Sequence, residues 1–210
     1  MECVSLTNSS TELCFLSKRD KRLAEIISSI GPICYNLHDD GYEFLVHEII
    51  EQMLSVKAAS RISARLTDMC DGKIATDSIS RLSIEELRQT GMSQAKAQYI
   101  KILTEAILND QLILQELESK TDQDVIQELT ALRGIGNWTA KMYLIFVLDR
   151  PDVLPYEDGA FLQAYRWLYN TEDCKPESIK KKCKKWSPYS STAARYLYRA
   201  LDSGMTKSKL

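Results

Sequence analysis

Histidine is scarce in this chain: His38 and His47 are the only two, which disfavours histidine-based metal or nucleophile chemistry. Glycine and proline are also few, 8 and 5 in 210 residues, so little breaks up long helices. No Cys-x-x-Cys pair occurs among Cys3, Cys14, Cys34, Cys70, Cys174 and Cys183. Their scatter argues against a zinc site and suggests reduced thiols. No window has the length and apolarity of a membrane span, and Met1–Thr11 lacks the basic-then-apolar order of a signal peptide. An intracellular protein is expected, in cytoplasm and nucleoid or in nucleus. An excess of positive charge is missing too, since the net charge is −2. Any polyanion would have to be held by a local patch, and Lys18–Arg22 and Lys180–Lys185 are the candidates. Both also read as ordinary solvated helix faces.

What is present is an apolar fraction of 44%, enough to bury a real core, and a pervasive helical period. Helices are expected over Asp20–Ile30, over Tyr42–Cys70 with a break near Ser55, and in a short segment opened by a Ser83–Glu86 capping box. Others follow at Ser93–Asn109, Asp122–Ala131, Gly136–Leu148, Asp158–Tyr169, Ser178–Lys185 and Ser190–Asp202. The Gly136–Leu148 helix carries seven consecutive apolar residues from Met142, so burial on all sides is expected there. No convincing alternating strand pattern is seen. The fold class is all-α.

The densest signal is Leu132-Arg133-Gly134-Ile135-Gly136-Asn137-Trp138-Thr139-Ala140, followed by Leu154-Pro155-Tyr156-Glu157-Asp158. Two glycines one residue apart, between a polar and an apolar helix, describe a tight turn that another backbone can approach. The N–H groups opening the second helix suit an anion such as a DNA phosphate. Asp158 lies 22 residues past Gly136, room for one helix and a loop.

This pattern resembles the helix-hairpin-helix (HhH-GPD) DNA glycosylase superfamily, and within it the 3-methyladenine DNA glycosylase II branch. Leu54–Ala59, Gly91–Ala97 and Trp186–Ser190 with Ala193-Ala194 resemble three further segments of that branch. The likeness runs from about Tyr42 to Asp202.

The resemblance implies two helical lobes with the DNA-binding cleft between them and no N-terminal β domain. Residues 1–17 would be an extension and 18–210 the glycosylase domain. Within it 33–117 would form the central lobe, and the N-terminal helix with 118–210 the hairpin-bearing lobe. The implied activity is monofunctional hydrolysis of the N-glycosidic bond of alkylated purines (3-methyladenine, 7-methylguanine type) in double-stranded DNA by a monomer, which initiates base excision repair. Asp158 would be the catalytic carboxylate, stabilising positive charge on the sugar; a plain helix N-cap is the alternative, and Glu157 is out of register with the motif. Trp138 stands where lyase-active relatives carry a Schiff-base lysine, and Lys141 is one helical turn off.

Trp138, Met142, Tyr143 and Tyr198 would line the base pocket, Met142 replacing a frequent second aromatic. Met53 aligns with the apolar wedge that enters the base stack, although it also continues the Leu45, Ile49 stripe of core positions. Glu51-Gln52 replaces the family's Gly-Gln, adding a carboxylate near DNA. Gly134, Gly136 and Thr139 would contact phosphate, and the carbonyls of Thr130, Leu132 and Ile135 would hold a monovalent cation. No iron–sulfur cluster is expected, since only Cys174 and Cys183 fall in the relevant region. Two alternatives remain: a non-catalytic hairpin protein that binds lesions or abasic sites, and an oxidised-base glycosylase with lyase activity.

Overall fold

The computed structural model describes residues 3–208. They form two compact units, 3–37 with 148–208, and His38–Val147. The chain begins in the first with β1 (Val4–Leu6), α1 (Thr11–Arg19), α2 (Lys21–Ile30) and β2 (Ile33–Tyr35). β1 and β2 pair antiparallel, Val4 opposite Tyr35 and Leu6 opposite Ile33. β1 and most of α1 stand where an unpatterned extension, 1–17, was expected, and β2 falls at the start of the expected central lobe. Three-residue strands are too short to display alternation, which is why the sequence hid them. The ladder also corrects the cysteine expectation. It brings the Cys3 and Cys34 Cα atoms to 6.2 Å, and the two are disulfide-bonded rather than reduced.

The second unit comprises α3 (Gly41–Glu51), α4 (Val56–Met69), α5 (Thr76–Arg81), α6 (Ile84–Gln89), α7 (Gln94–Leu108), a 3-10 turn at Leu114–Ser119, α8 (Asp122–Thr130) and α9 (Asn137–Phe146). Polar caps set several starts: Asp40 accepts the Tyr42 and Glu43 N–H groups, and Ser55, Ser93 and Thr121 each accept one N–H. The Ser83–Glu86 capping box forms in both directions. α3 packs on α4, α7 and α9, burying Leu45, Val46, Ile49, Ile100, Ala140 and Leu144. α9 is the apolar helix the sequence indicated, with Thr139 through Ile145 all buried.

The chain then returns to the first unit with α10 (Gly159–Tyr169), α11 (Pro176–Cys183) and α12 (Ser190–Asp202). Their apolar faces close over α1 and α2, with Phe161, Tyr165, Trp186 and Tyr196 among the fully buried side chains. The division therefore differs from the expected one. Residues 118–147, hairpin included, belong with 38–117, because α9 packs on α3. Class all-α holds. No helix among the described residues is long and apolar enough to cross a membrane.

Candidate DNA interface and catalytic site

In the second unit α8 stops at Thr130, and Ile135 N–H donates to Leu132 O (3.1 Å) to close the turn that follows. The two hairpin glycines differ. Gly134 sits at φ +101°, and a Cβ there would come within 2.3 Å of Tyr99 Cγ, so both backbone and space demand glycine. Gly136 has φ −104° and open space where a side chain would be. It caps α9, and the first helical bond closes from Ala140 N–H to Gly136 O. Gly136 and Asn137 are exposed, so this helix start can take an anion. Thr139 corrects one expectation: its side chain is only 1% exposed, so its hydroxyl faces the interior and cannot meet a phosphate.

Helix α3 ends two residues before Met53, which overturns the core alternative for this side chain. Met53 adopts φ +58° and is 101% exposed, with Val56 beside it 86% exposed. Gln52 Nε2 donates to Gly134 O (2.9 Å), tying this loop to the hairpin. Lys96 Nζ donates to Ile50 O (2.7 Å) and Gln52 O (2.6 Å). Sequence reasoning assigned none of Gln52, Lys96 and Tyr99 to these loops, because each acts through a contact distant along the chain. Glu51 is exposed on the same loop.

Trp138, in the first turn of α9, is half-buried, whereas Met142 and Tyr143 are sealed. Tyr143 corrects another expectation. Its ring lies edge-on to Phe44 at 6.1 Å and fills the space above Gly41, where a Cβ would be 2.4 Å from its hydroxyl. Burial pushes its pKa up to about 12. Tyr143 is a packing residue of α3 on α9.

In the first unit Asp158 is the N-cap of α10, its Oδ1 accepting Phe161 N–H at 2.7 Å, and the residue is 9% exposed. The loop leading to it turns on bonds from Tyr156 N–H to Leu154 O and from Asp158 N–H to Pro155 O, each 3.0 Å. It is also fastened to the start of α12. Asp152 accepts the Ser187 and Ser190 hydroxyls, each at 2.5 Å, and the Ser190 N–H. Ser191 Oγ donates to Arg150 O and accepts Val153 N–H. The Trp186–Ser190 segment thus has a physical task, which is to hold the aspartate loop. Tyr198 lies half-buried on α12.

Part of the expected basic patch is spent internally. Lys180 covers the Tyr156 ring (4.5 Å), Lys182 and Lys185 flank Tyr169, and Lys185 Nζ is 2.9 Å from Asp20. Asp20 is 2% exposed and also accepts the Tyr169 hydroxyl and Trp186 Nε1–H. Burial alone would raise its carboxyl, but hydrogen bonds from Tyr169, Lys185 and Trp186 outweigh it and hold the pKa below the ordinary value. Among the described residues no group of three or more His, Cys, Asp or Glu side chains could hold a metal ion.

Residues 46–188 match the profile of the HhH-GPD superfamily base excision DNA repair proteins, a span that includes Met53, the hairpin and Asp158. The chain belongs to this superfamily. Among HhH-GPD relatives, DNA-3-methyladenine glycosylase 1 of Schizosaccharomyces pombe is 30% identical over 93% of this chain and 87% of its own length. The alkylbase DNA glycosidase-like protein mag2 of the same yeast is 29% identical, covering 88% and 90%. A crystal structure of a DNA-3-methyladenine glycosidase from Bacillus halodurans superposes with a TM-score of 0.85 at 34% identity, covering 96% of this chain and 94% of that one. The four segments therefore indicated the right branch of the HhH-GPD proteins.

Proposed function

We propose that the chain is a monofunctional DNA glycosylase that removes alkylated purines, 3-methyladenine foremost and the 7-methylguanine type included, from double-stranded DNA. The observation that carries this is the Asp158 carboxylate, held almost buried at a helix start by a loop fastened at both ends. The relatives' names and the yeast glycosylase solved in complex with abasic DNA support the substrate class.

The hairpin takes a phosphate on the exposed start of α9, through Gly134 and Gly136, which fixes position without reading sequence. Met53 enters the base stack and keeps the damaged nucleotide extruded. Trp138 in the second unit and Tyr198 in the first each offer a π face, which suits a base that carries positive charge. The C1′–N bond then breaks, its electron pair leaving with the purine. Asp158 stabilises the positive sugar while water adds to C1′ and gives up its proton to the Asp158 carboxylate, which returns it to solvent. Trp138 offers no amine for a Schiff base, so strand cleavage is not part of this mechanism. The carbonyls of Thr130, Leu132 and Ile135 are neutral oxygen donors of the kind that suits a monovalent cation beside a held phosphate; Leu132 O already accepts one N–H and keeps a second lone pair.

One observation favours lesion binding without catalysis: the exposed Glu51 puts negative charge next to Met53. Release of free 3-methyladenine from methylated DNA decides between the two. Wild type is expected to release it, and Asp158→Asn to lower the rate by roughly two to three orders of magnitude with DNA binding kept. Equal binding with no release by wild type supports the non-catalytic alternative. Borohydride trapping of a covalent adduct supports the lyase.

A further inference from the structure

We propose that Lys96, acting with Gln52, is a positioning residue that sets the Met53 side chain before DNA arrives, and that α7 joins this wedge to the hairpin. The inference rests on the wedge role assigned to Met53.

The last carbonyls of a helix have no partner within it, and a cation is favoured at that end. Lys96 fills this place for α3, its ammonium taking Ile50 O at 2.7 Å and Gln52 O at 2.6 Å. Desolvation lowers the Lys96 pKa, so keeping charge there has a cost that the two carbonyls offset. Gln52 is pinned at both ends, its carbonyl by Lys96 and its side-chain amide by Gly134 O at 2.9 Å. With Gln52 fixed, the chain enters the left-handed region at Met53, φ +58°. That conformation is costly for any residue with a Cβ and persists only where the surroundings over-determine it.

The result is a fully exposed methionine on a constrained backbone. Three residues along α7, on the same face as Lys96, Tyr99 packs beneath Gly134. One helix face therefore supports both the wedge loop and the hairpin. The ordering of the loop is completed during folding rather than charged against binding.

The test compares single-turnover release of 3-methyladenine from a methylated duplex and from methylated single strands, where nothing has to be unstacked. A second readout needs no base release: 2-aminopurine fluorescence beside a tetrahydrofuran abasic site reports the unstacking itself. Lys96→Met keeps the apolar stem and loses the donor. It is expected to lower duplex release about tenfold, single-strand release less than about twofold, and the fluorescence gain on binding. Lys96→Arg keeps donors and is expected to restore most of the loss. Met53→Ala is expected to show the same duplex-selective defect, and adding Lys96→Met to it to cost nothing further.

Equal losses by Lys96→Met on both substrates, or losses that multiply with those of Met53→Ala, overturn the proposal. If Met53→Ala is duplex-selective and Lys96→Met is not, the positioning role alone fails. If Met53→Ala changes neither readout, the wedge assignment fails and takes this proposal with it.

Discussion

The loop that carries Met53 and the loop that carries Asp158 are held by opposite chemistry. Around Met53 the fixed groups are backbone carbonyls, gripped by the Lys96 ammonium and, at Gly134, by the Gln52 amide. The side chain they set is left in water. Around Asp158 the acceptor that makes the most of the fixing bonds is a carboxylate, Asp152, which collects hydroxyls and an N–H from Ser187 and the start of α12. The side chain held there is drawn in. An apolar group that must leave water only on contact with DNA is best presented outward. In the role proposed for Asp158, a carboxylate facing a developing cation works best away from bulk solvent, where its field is least screened.

The same contrast extends through each unit, and substitutions at three positions probe it. The largest effect is expected at Asp20, the buried carboxylate around which Tyr169, Trp186 and Lys185 converge. Asp20→Ala leaves their donors without an acceptor and is expected to lower stability by about 2–4 kcal/mol in urea unfolding. Because the Asp20 pKa is depressed in the folded state, its contribution is complete above the unfolded value near pH 4 and is lost as the pH falls through the folded value. Acid unfolding followed by circular dichroism should show Asp20→Asn flattening stability in that acid range.

Gly134→Ala comes next, with a stability loss of about 2 kcal/mol expected from positive φ and collision with Tyr99. Gly136→Ala is the smallest in stability, below about 1 kcal/mol, since its φ is ordinary and no atom stands near. Its DNA affinity, measured by fluorescence anisotropy, is nevertheless expected to fall about tenfold, because the added methyl stands where a phosphate would approach. Equal stability losses at the two glycines would erase the distinction between a glycine required by the fold and one required by the ligand.

Sequence periodicity found nearly every long helix, because caps such as Asp40, Ser55, Ser83 and Ser93 are local and their partners lie two or three residues away. It missed α1, whose Ser10 N-cap makes no side-chain bond to the helix it opens, and α5, which is six residues long. It placed the hairpin in the wrong unit, since the packing of α9 on α3 joins residues about a hundred positions apart. The disulfide was illegible for a related reason: the ladder that brings Cys3 to Cys34 spans 31 residues.

The site divides along the same line. Gly134, Gly136 and Asp158 belong to contiguous motifs, so their roles in turn and cap could be read directly. Met53 could not be assigned from its stripe, because the end of α3 depends on Lys96 from another helix. Thr139 and Tyr143 sit within the hairpin helix, yet which way each side chain faces is set by neighbours that the motif does not contain.

The complete exposure of Met53 has a chemical cost at rest. Among the described residues Met92 and Met142 are enclosed and Met69 and Met205 half-buried, so an oxidant in solution reaches the Met53 thioether before theirs. Conversion to the sulfoxide would make that tip polar and chiral while leaving the folded chain untouched. On the wedge role proposed for Met53, a preparation aged in air is expected to retain its melting temperature while duplex opening is lost.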